Sequence, residues 1–113
     1  MLVVAAMSMA LAACCDDRVE QDERSPSSDK SAIVTYSNCG VLADGTSVTL
    51  CDTASSRQDL VVSAEGHHAF IVLWKDNQTL KVFIPRTAKT GSFADPQIVH
   101  KNEDVNGTRI EYW

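Results

Sequence analysis

The chain lacks an apolar run long enough to cross a membrane as a helix, and it lacks an excess of basic charge. Residues 1–13 carry no charge and one hydroxyl group, that of Ser8, whereas a spanning helix needs about 20 apolar residues. Ten Lys and Arg residues stand against fifteen Asp and Glu residues, for a formal net charge of −5. Without a basic stripe to displace counterions from phosphates, nucleic acid is excluded as a partner.

Sequence motifs of catalysis are also missing. The chain has no G-x-S-x-G nucleophile motif and no H-E-x-x-H metal pattern, and its five glycines are too scattered to form a phosphate-binding loop. A length of 113 residues fits one domain. We therefore expect a single domain that is not an enzyme and needs no cofactor.

The N-terminal apolar run has the length of a secretory signal, whose hydrophobic region spans about 7–15 residues. It ends in Leu11-Ala12-Ala13-Cys14, although no Lys or Arg precedes it. This ending resembles the lipobox of bacterial lipoproteins. The resemblance implies that residues 1–13 are a signal peptide and that Cys14 receives a diacylglycerol and acyl chains such as palmitate. It further implies a protein of the cell envelope that is anchored in a membrane by lipid.

The choice of membrane depends on the cleavage position. With Cys14 as the first mature residue, Asp16 is the third; with Cys15 first, Asp16 is the second. In enteric lipoproteins, an aspartate at the second position implies retention in the inner membrane. The sequence therefore does not distinguish between the inner and the outer membrane. In either case we expect the body of the protein in the periplasm or at the cell surface.

An acidic segment follows the cysteines. Residues 15–31 contain one aliphatic residue, Val19, and no aromatic residue. Such a composition buries too little apolar surface to offset the entropy lost on ordering. We predict that residues 14–31 consist of the lipidated cysteine and a disordered acidic tether.

The remaining residues, 32–113, are predicted to form a β-rich domain. Ala32–Tyr36 is the first strand candidate, and Asp44-Gly45 is a typical hairpin turn between alternating arms. Two further hairpins are predicted, one with arms at 69–74 and 79–84 and one with arms at 97–100 and 108–112 around Asn106-Gly107.

Two segments of this domain are harder to interpret. Residues 56–65 fit either a short helix capped by Ser56 or a strand, with a slight preference for the helix. Residues 70–74 show little alternation, which predicts burial on both faces. The fold class is mainly β: a small antiparallel sheet, sandwich or barrel-like domain of about 5–7 short strands with room for one short helix.

Two cysteines, Cys39 and Cys51, lie within this domain. An exported protein enters an oxidising compartment, which favours disulfides. If a three-residue loop or a bulge accompanies the Asp44-Gly45 turn, the two cysteines become cross-strand neighbours. We predict a Cys39–Cys51 disulfide that closes a loop of about 13 residues and stabilises the fold by about 3 kcal/mol.

Candidate ligand-binding residues are few. His67, His68 and His100 are the candidates for a metal site, but adjacent strand residues point to opposite faces, so we expect turn histidines and no metal. Trp74 and Trp113 are weak candidates for a binding surface, since aromatic side chains often anchor protein contacts.

These features predict a non-catalytic binding module of the bacterial envelope, such as an inhibitor, an immunity or exclusion factor, or an adaptor. Its partners are the membrane, through the lipid, and an envelope protein. Alternatives are a structural envelope component and a metal-binding periplasmic protein. Residues 63–66 and 73–75 are loosely similar to lipoprotein inhibitors of C-type lysozyme, from which the cysteine positions and the spacing depart.

Overall fold

The computed structural model describes residues 16–39, 44–85 and 97–113. These residues form nine strands and no helix, so the prediction of a small, mainly β domain is confirmed, with more strands than expected. No membrane-spanning helix is found in the described part of the chain. The strands are β1 (Asp16–Arg24), β2 (Lys30–Asn38), β3 (Asp44–Asp52), β4 (Gln58–Glu65), β5 (Ile71–Asp76), β6 (Thr79–Phe83), β7 (Gln97–Lys101), β8 (Asp104–Val105) and β9 (Thr108–Tyr112).

The strands form two sheets. The larger sheet has the order β1-β2-β3-β4-β7, and all its neighbouring strands are antiparallel. The smaller sheet has the order β5-β6-β9-β8, in which β6 and β9 run parallel. The chain thus builds four strands of the larger sheet as a meander before it enters the smaller one.

The hydrophobic core lies between the two sheets. Strand alternation directs one side of each strand inward; on β3, for example, Thr46, Val48 and Leu50 are buried while their neighbours are only half-buried. The buried apolar residues come from both sheets and form one cluster: Ala32, Val34, Val48, Leu50, Val61, Val62, Ala64, Phe70, Val72, Leu80, Val82, Val105 and Ile110.

The edges of the two sheets meet where β1 approaches β5. A bulge at Glu20 shifts the β1 register between Val19 and Gln21. The Gln21 side chain then accepts a hydrogen bond from the Val72 backbone N–H (3.1 Å) and donates one to the Val72 carbonyl (3.0 Å). A side-chain amide therefore takes the place of a neighbouring strand along this edge.

The prediction of a disordered tether over residues 14–31 is wrong for its described part. Asp16–Arg24 forms β1 and pairs with β2 from Asp16↔Asn38 to Arg24↔Ser31. Almost every β1 side chain is exposed, including that of Val19 (61%). The strand is held by backbone hydrogen bonds, and such pairing cannot be predicted from the pattern of apolar residues.

The predicted hairpins were only partly correct. The hairpin with arms at 69–74 and 79–84 is confirmed as β5 and β6, joined by Asn77-Gln78. Asp44-Gly45 is not a turn, because both residues lie in β3 and pair with Asn38 and Ser37. Asn106-Gly107 is a turn with positive φ at both residues (50° and 80°), but it joins β8 to β9, whereas β7 pairs with β4.

The slight preference for a helix at 56–65 is also wrong. Gln58–Glu65 is β4, paired with β3, and its buried residues Val61, Val62 and Ala64 complete the core. Burial on both faces of residues 70–74 is wrong as well, since Ile71 is 53% exposed and Leu73 is 59% exposed. A strand covered by a sheet on one side needs only one apolar face.

Candidate functional site

The outer face of the smaller sheet carries four exposed, large apolar side chains. They come from β5, from β6 and from the residue after β9, and their exposed fractions are 53% for Ile71, 59% for Leu73, 42% for Phe83 and 59% for Trp113. We call these four residues the apolar face. Exposed apolar groups are ordinary when scattered, but a contiguous group with a polar rim marks an interaction site.

Strand register places three of these side chains in one row. Ile71 lies opposite Phe83 across the β5–β6 pair. The Trp113 N–H donates to the Val82 carbonyl (2.9 Å), and the Trp113 carbonyl accepts from the Ile84 N–H (3.1 Å), which continues the β6–β9 ladder beside Phe83. The row therefore crosses three strands at one end of the smaller sheet.

Charged groups of both signs border this row. Leu73 lies opposite Lys81, whose ammonium group sits 4.2 Å from the centre of the Trp113 ring. Lys75 and Glu111 form an exposed ion pair of 3.9 Å. The cation–π contact helps to hold the indole ring in place on the sheet.

The two predicted tryptophan candidates occupy different environments. Trp113 belongs to the apolar face. Trp74 is half-buried, packs against the core, and donates its indole N–H to the Glu23 carbonyl (2.8 Å). Trp74 thus ties β5 to β1, and of the two tryptophans only Trp113 is among the exposed large apolar side chains.

A depression of about 570 Å³ adjoins the apolar face and shares Ile71 with it. Both apolar and polar or charged side chains line it: Glu20, Gln21, His67, Ala69, Phe70 and Ile71. His67 Nε2 lies 2.9 and 2.7 Å from the two Glu20 carboxylate oxygens. Nε2 of His67 is therefore hydrogen-bonded to the Glu20 carboxylate of the same chain.

Further contacts support the His67 ring. It packs against the Tyr36 ring with 4.1 Å between ring centres and a tilt of 32°, and the Tyr36 hydroxyl donates to Asp44 (2.9 Å). This hydrogen bond raises the pKa of Tyr36. The Arg18 guanidinium lies 5.8 Å from the centre of the Tyr36 ring and 3.9 Å from Glu20. These contacts hold Glu20 and His67 in place as one wall of the depression.

The three histidines are not brought together. His67 binds Glu20, His68 Nε2 lies 2.7 Å from the Glu65 carbonyl, and His100 Nε2 lies 3.1 Å from the Asn102 amide nitrogen. Across residues 16–39, 44–85 and 97–113, no group of three or more His, Cys, Asp or Glu side chains is placed to hold a metal ion.

The predicted Cys39–Cys51 disulfide is wrong. Cys51 is a free thiol, whereas Cys39 is disulfide-bonded. Cys51 pairs in register with Ser31, eight residues before Cys39 on the neighbouring strand, a separation of about 27 Å along β2. The error follows from the turn: with Asp44-Gly45 inside β3, the two cysteines lie at opposite ends of the β2–β3 pair.

The lipobox and its candidate lipidation residue, Cys14, lie outside the described residues. Comparison of the chain with protein-family models, with curated proteins and with solved structures found no match.

Sequence reasoning missed most of this site. Ile71, Leu73 and Phe83 belong to apolar runs in which inward and outward residues are equally hydrophobic, so their exposure leaves no signal. The sequence predicts that Glu20 lies in a tether and that Tyr36 ends a strand. The ring contact of Tyr36 with His67 depends on long-range pairing.

Proposed function

We propose that the protein is a small lipid-anchored module of the bacterial envelope that binds a protein partner through the apolar face and performs no catalysis. The observation that carries this proposal is the row of exposed Ile71, Phe83 and Trp113 side chains, with Leu73 beside it. Inhibitor, immunity, exclusion and adaptor roles all require such a contact surface. Large aromatic side chains supply most of the binding energy at protein interfaces.

The mode of contact follows from the edge of the smaller sheet. β5 is an edge strand, and unpaired edge strands recruit further strands. At Val72, however, both backbone groups are already bonded to Gln21. A partner therefore binds the side chains of the apolar face, and the depression beside Ile71 receives a side chain of that partner.

A photo-crosslinking amino acid placed at Leu73 in the full-length, membrane-anchored protein tests this proposal. Leu73 should give a discrete protein adduct in intact cells. The matched control is Val99, which is 66% exposed but lies on the larger sheet; it should give no such adduct. Identical adducts from both positions, or none from Leu73, would overturn the proposal.

A membrane surface is the competing occupant of the apolar face. Protein carrying Cys14→Ala, with and without Leu73→Ser, is mixed with vesicles of phosphatidylethanolamine and phosphatidylglycerol. Flotation that depends on Leu73 would assign the face to lipid and contradict the protein partner. We expect neither protein to float.

The lipid anchor is tested separately. In cells fed labelled palmitate, Cys14→Ala should lose the label and move to the aqueous phase of a detergent partition. Cys15→Ala is the matched control and should keep both the label and the detergent partition. If Cys14→Ala changed neither, the anchor would be refuted.

A further inference from the structure

The depression beside the apolar face combines apolar and charged lining groups. Ala69 and Ile71 are exposed there, and Glu20 and His67 contribute a carboxylate and an imidazole. Its volume of about 570 Å³ lies within the range of about 300–1,000 Å³ that is usual for ligand pockets. Lysine and arginine side chains pair an apolar stem with a charged head. Groups of both kinds in one depression therefore suit a long basic side chain.

The strand that borders the depression carries much of the negative charge of the chain. β1 contributes Glu20 and Gln21 to the lining. Its nine residues, DDRVEQDER, include five acids and two bases, a formal charge of −3, and the whole chain has a formal charge of −5. Complementary charge guides partners to an interface and disfavours those of the wrong sign. A cationic group is therefore favoured next to β1.

The Glu20 carboxylate can accept further hydrogen bonds. Nε2 of His67 has at most one proton to donate, although it lies 2.9 and 2.7 Å from the two oxygens, whereas a carboxylate offers about four lone-pair sites. Nε of Arg18 is 3.9 Å from Glu20, beyond hydrogen-bond length, and the Arg18 side chain is 64% exposed. Such an exposed pair contributes little. A cation of a partner can therefore bind Glu20 while His67 stays in place.

The geometry at Glu20 distinguishes lysine from arginine. Arginine binds a carboxylate most strongly through two parallel N–H···O bonds, one to each oxygen. Nε2 of His67 is within hydrogen-bond distance of both Glu20 oxygens and so occupies the position between them. The ammonium group of lysine is a compact charge that needs only one oxygen. The site that His67 leaves on Glu20 therefore fits lysine better than arginine.

We propose that the depression receives a lysine side chain of the protein partner, with the ammonium group on the Glu20 carboxylate and the stem against Ala69 and Ile71. The assignment of lysine rests on the function proposed above, in which the partner covers the apolar face. Because Ile71 belongs to both the apolar face and the depression, this lysine is flanked by apolar residues in the partner.

A tripeptide with lysine between two leucines, acetylated and amidated at its ends, is the probe for a direct test. It is titrated into the full-length lipidated protein in lipid nanodiscs, and the methyl resonances of Ala69 and Ile71 report binding. The same tripeptide with norleucine in place of lysine should bind more weakly by about 3-fold or more, and the arginine tripeptide should also bind more weakly. Equal affinity for the lysine peptide and either of the others, or no shift with the lysine peptide, would overturn the proposal.

Two matched variants locate the charge that the peptide recognises. Glu20→Gln removes the charge from the depression and should lower the affinity for the lysine peptide by about 3-fold while leaving the affinity for the norleucine peptide unchanged. Asp22→Asn removes the same charge from the same strand, but Asp22 is exposed and does not line the depression. Equal effects of the two variants would assign the preference to overall charge and contradict a lysine site at Glu20.

The photo-crosslink from Leu73 in intact cells extends the test to the natural partner. Glu20→Gln should lower the yield of the Leu73 adduct, and Asp22→Asn should not. An adduct whose yield is unchanged in Glu20→Gln would refute the lysine contact and leave the proposed function standing. The absence of any adduct from Leu73 would refute the proposed function, whereas the peptide titration would still decide whether the depression binds lysine.

Discussion

At the scale of single residues, Cys51 is a thiol protected by its position. It lies in the middle of the larger sheet, between β2 and β4, and pairs with Ser31 on one side and Gln58 on the other. Burial raises the pKa of the Cys51 thiol, and the Asp22 carboxylate adds to the increase. The thiolate is the reactive form, so a raised pKa lowers reactivity.

We therefore predict that Cys51 is alkylated by iodoacetamide more slowly at neutral pH in the folded protein than in the unfolded protein. Asp22→Asn removes the negative charge and should speed the reaction of the folded protein. Asp59→Asn changes a carboxylate that does not contribute to this pKa and serves as the control. Equal rates in all three folded proteins would show that the charge of Asp22 has no effect.

Tyr112 gives the fold a dependence on alkaline pH. Its hydroxyl donates to the Asn102 carbonyl and lies 3.2 Å from the Val61 carbonyl. Burial raises the pKa of Tyr112 from 10.0 to about 12. Because the folded protein holds this proton more tightly than the unfolded protein, its contribution is complete below the unfolded pKa and is lost as the pH rises towards 12.

We predict that Tyr112→Phe lowers the free energy of unfolding near neutral pH and that this loss shrinks between about pH 8 and about pH 11. Urea denaturation at the two pH values measures the change. Tyr36 also has a raised pKa, but its hydroxyl does not contact the Val61 and Asn102 carbonyls. Tyr36→Phe therefore measures how the loss of a tyrosine hydroxyl outside this contact changes the free energy of unfolding at the two pH values. A loss that stays constant with pH would contradict the role of the Tyr112 proton.

At the scale of secondary structure, β1 shows how a polar segment becomes a strand. Its backbone pairs along the whole of β2, and its bulge at Glu20 supplies both the His67 contact and the Gln21 contact. Edge strands with charged side chains and a bulge are common in native sheets because these features discourage pairing with other chains. The same bulge that positions the wall of the depression also joins the two sheets.

Gln21→Ala should leave both backbone groups of Val72 without their partner. We expect a loss of about 1–3 kcal/mol in the free energy of unfolding, measured by urea denaturation, since these groups are partly buried. Gln58→Ala is the matched control, because Gln58 is an exposed glutamine at the end of β4, and it should change stability by less than about 0.5 kcal/mol. Equal losses in the two variants would mean that the Val72 contact is not stabilising.

At the scale of the whole molecule, the strand pairings define two ends of the sandwich. Asp16 pairs with Asn38, Asn38 with Asp44, and Gly45 with Glu65, so these residues lie at one end of the larger sheet. Asn77 lies at the other end, where its side chain accepts a hydrogen bond from the Ser27 N–H (2.7 Å). Under the lipid anchor proposed above at Cys14, two residues before β1 begins, we expect the first end to lie nearer the bilayer.

This orientation predicts unequal quenching by spin-labelled lipids. A fluorophore is attached to Glu65→Cys or to Asn77→Cys, each in the Cys51→Ser background of the lipidated protein. The label at position 65 should be quenched more strongly than the label at position 77. Equal quenching would indicate that the domain has no fixed orientation relative to the bilayer.

Much of the fold was predictable from local sequence. The β5–β6 hairpin, the first core strand and the Asn106-Gly107 turn each carry their signal within a few residues: β-branched and apolar runs, and a residue pair suited to positive φ. The mainly β class and the small size followed from the same signals. These properties depend on the backbone preferences of neighbouring residues.

Only the tertiary structure decided the rest. Asp44-Gly45 has the composition of a turn but lies in β3, because pairing with β2 and β4 on both sides outweighs its local preference. The same competition made β1 a strand, separated Cys39 from Cys51, and exposed Ile71 and Leu73 while Val72 was buried. The sequence by itself determined which segments favour strands, whereas long-range pairing decided which residues meet and which apolar side chains remain exposed.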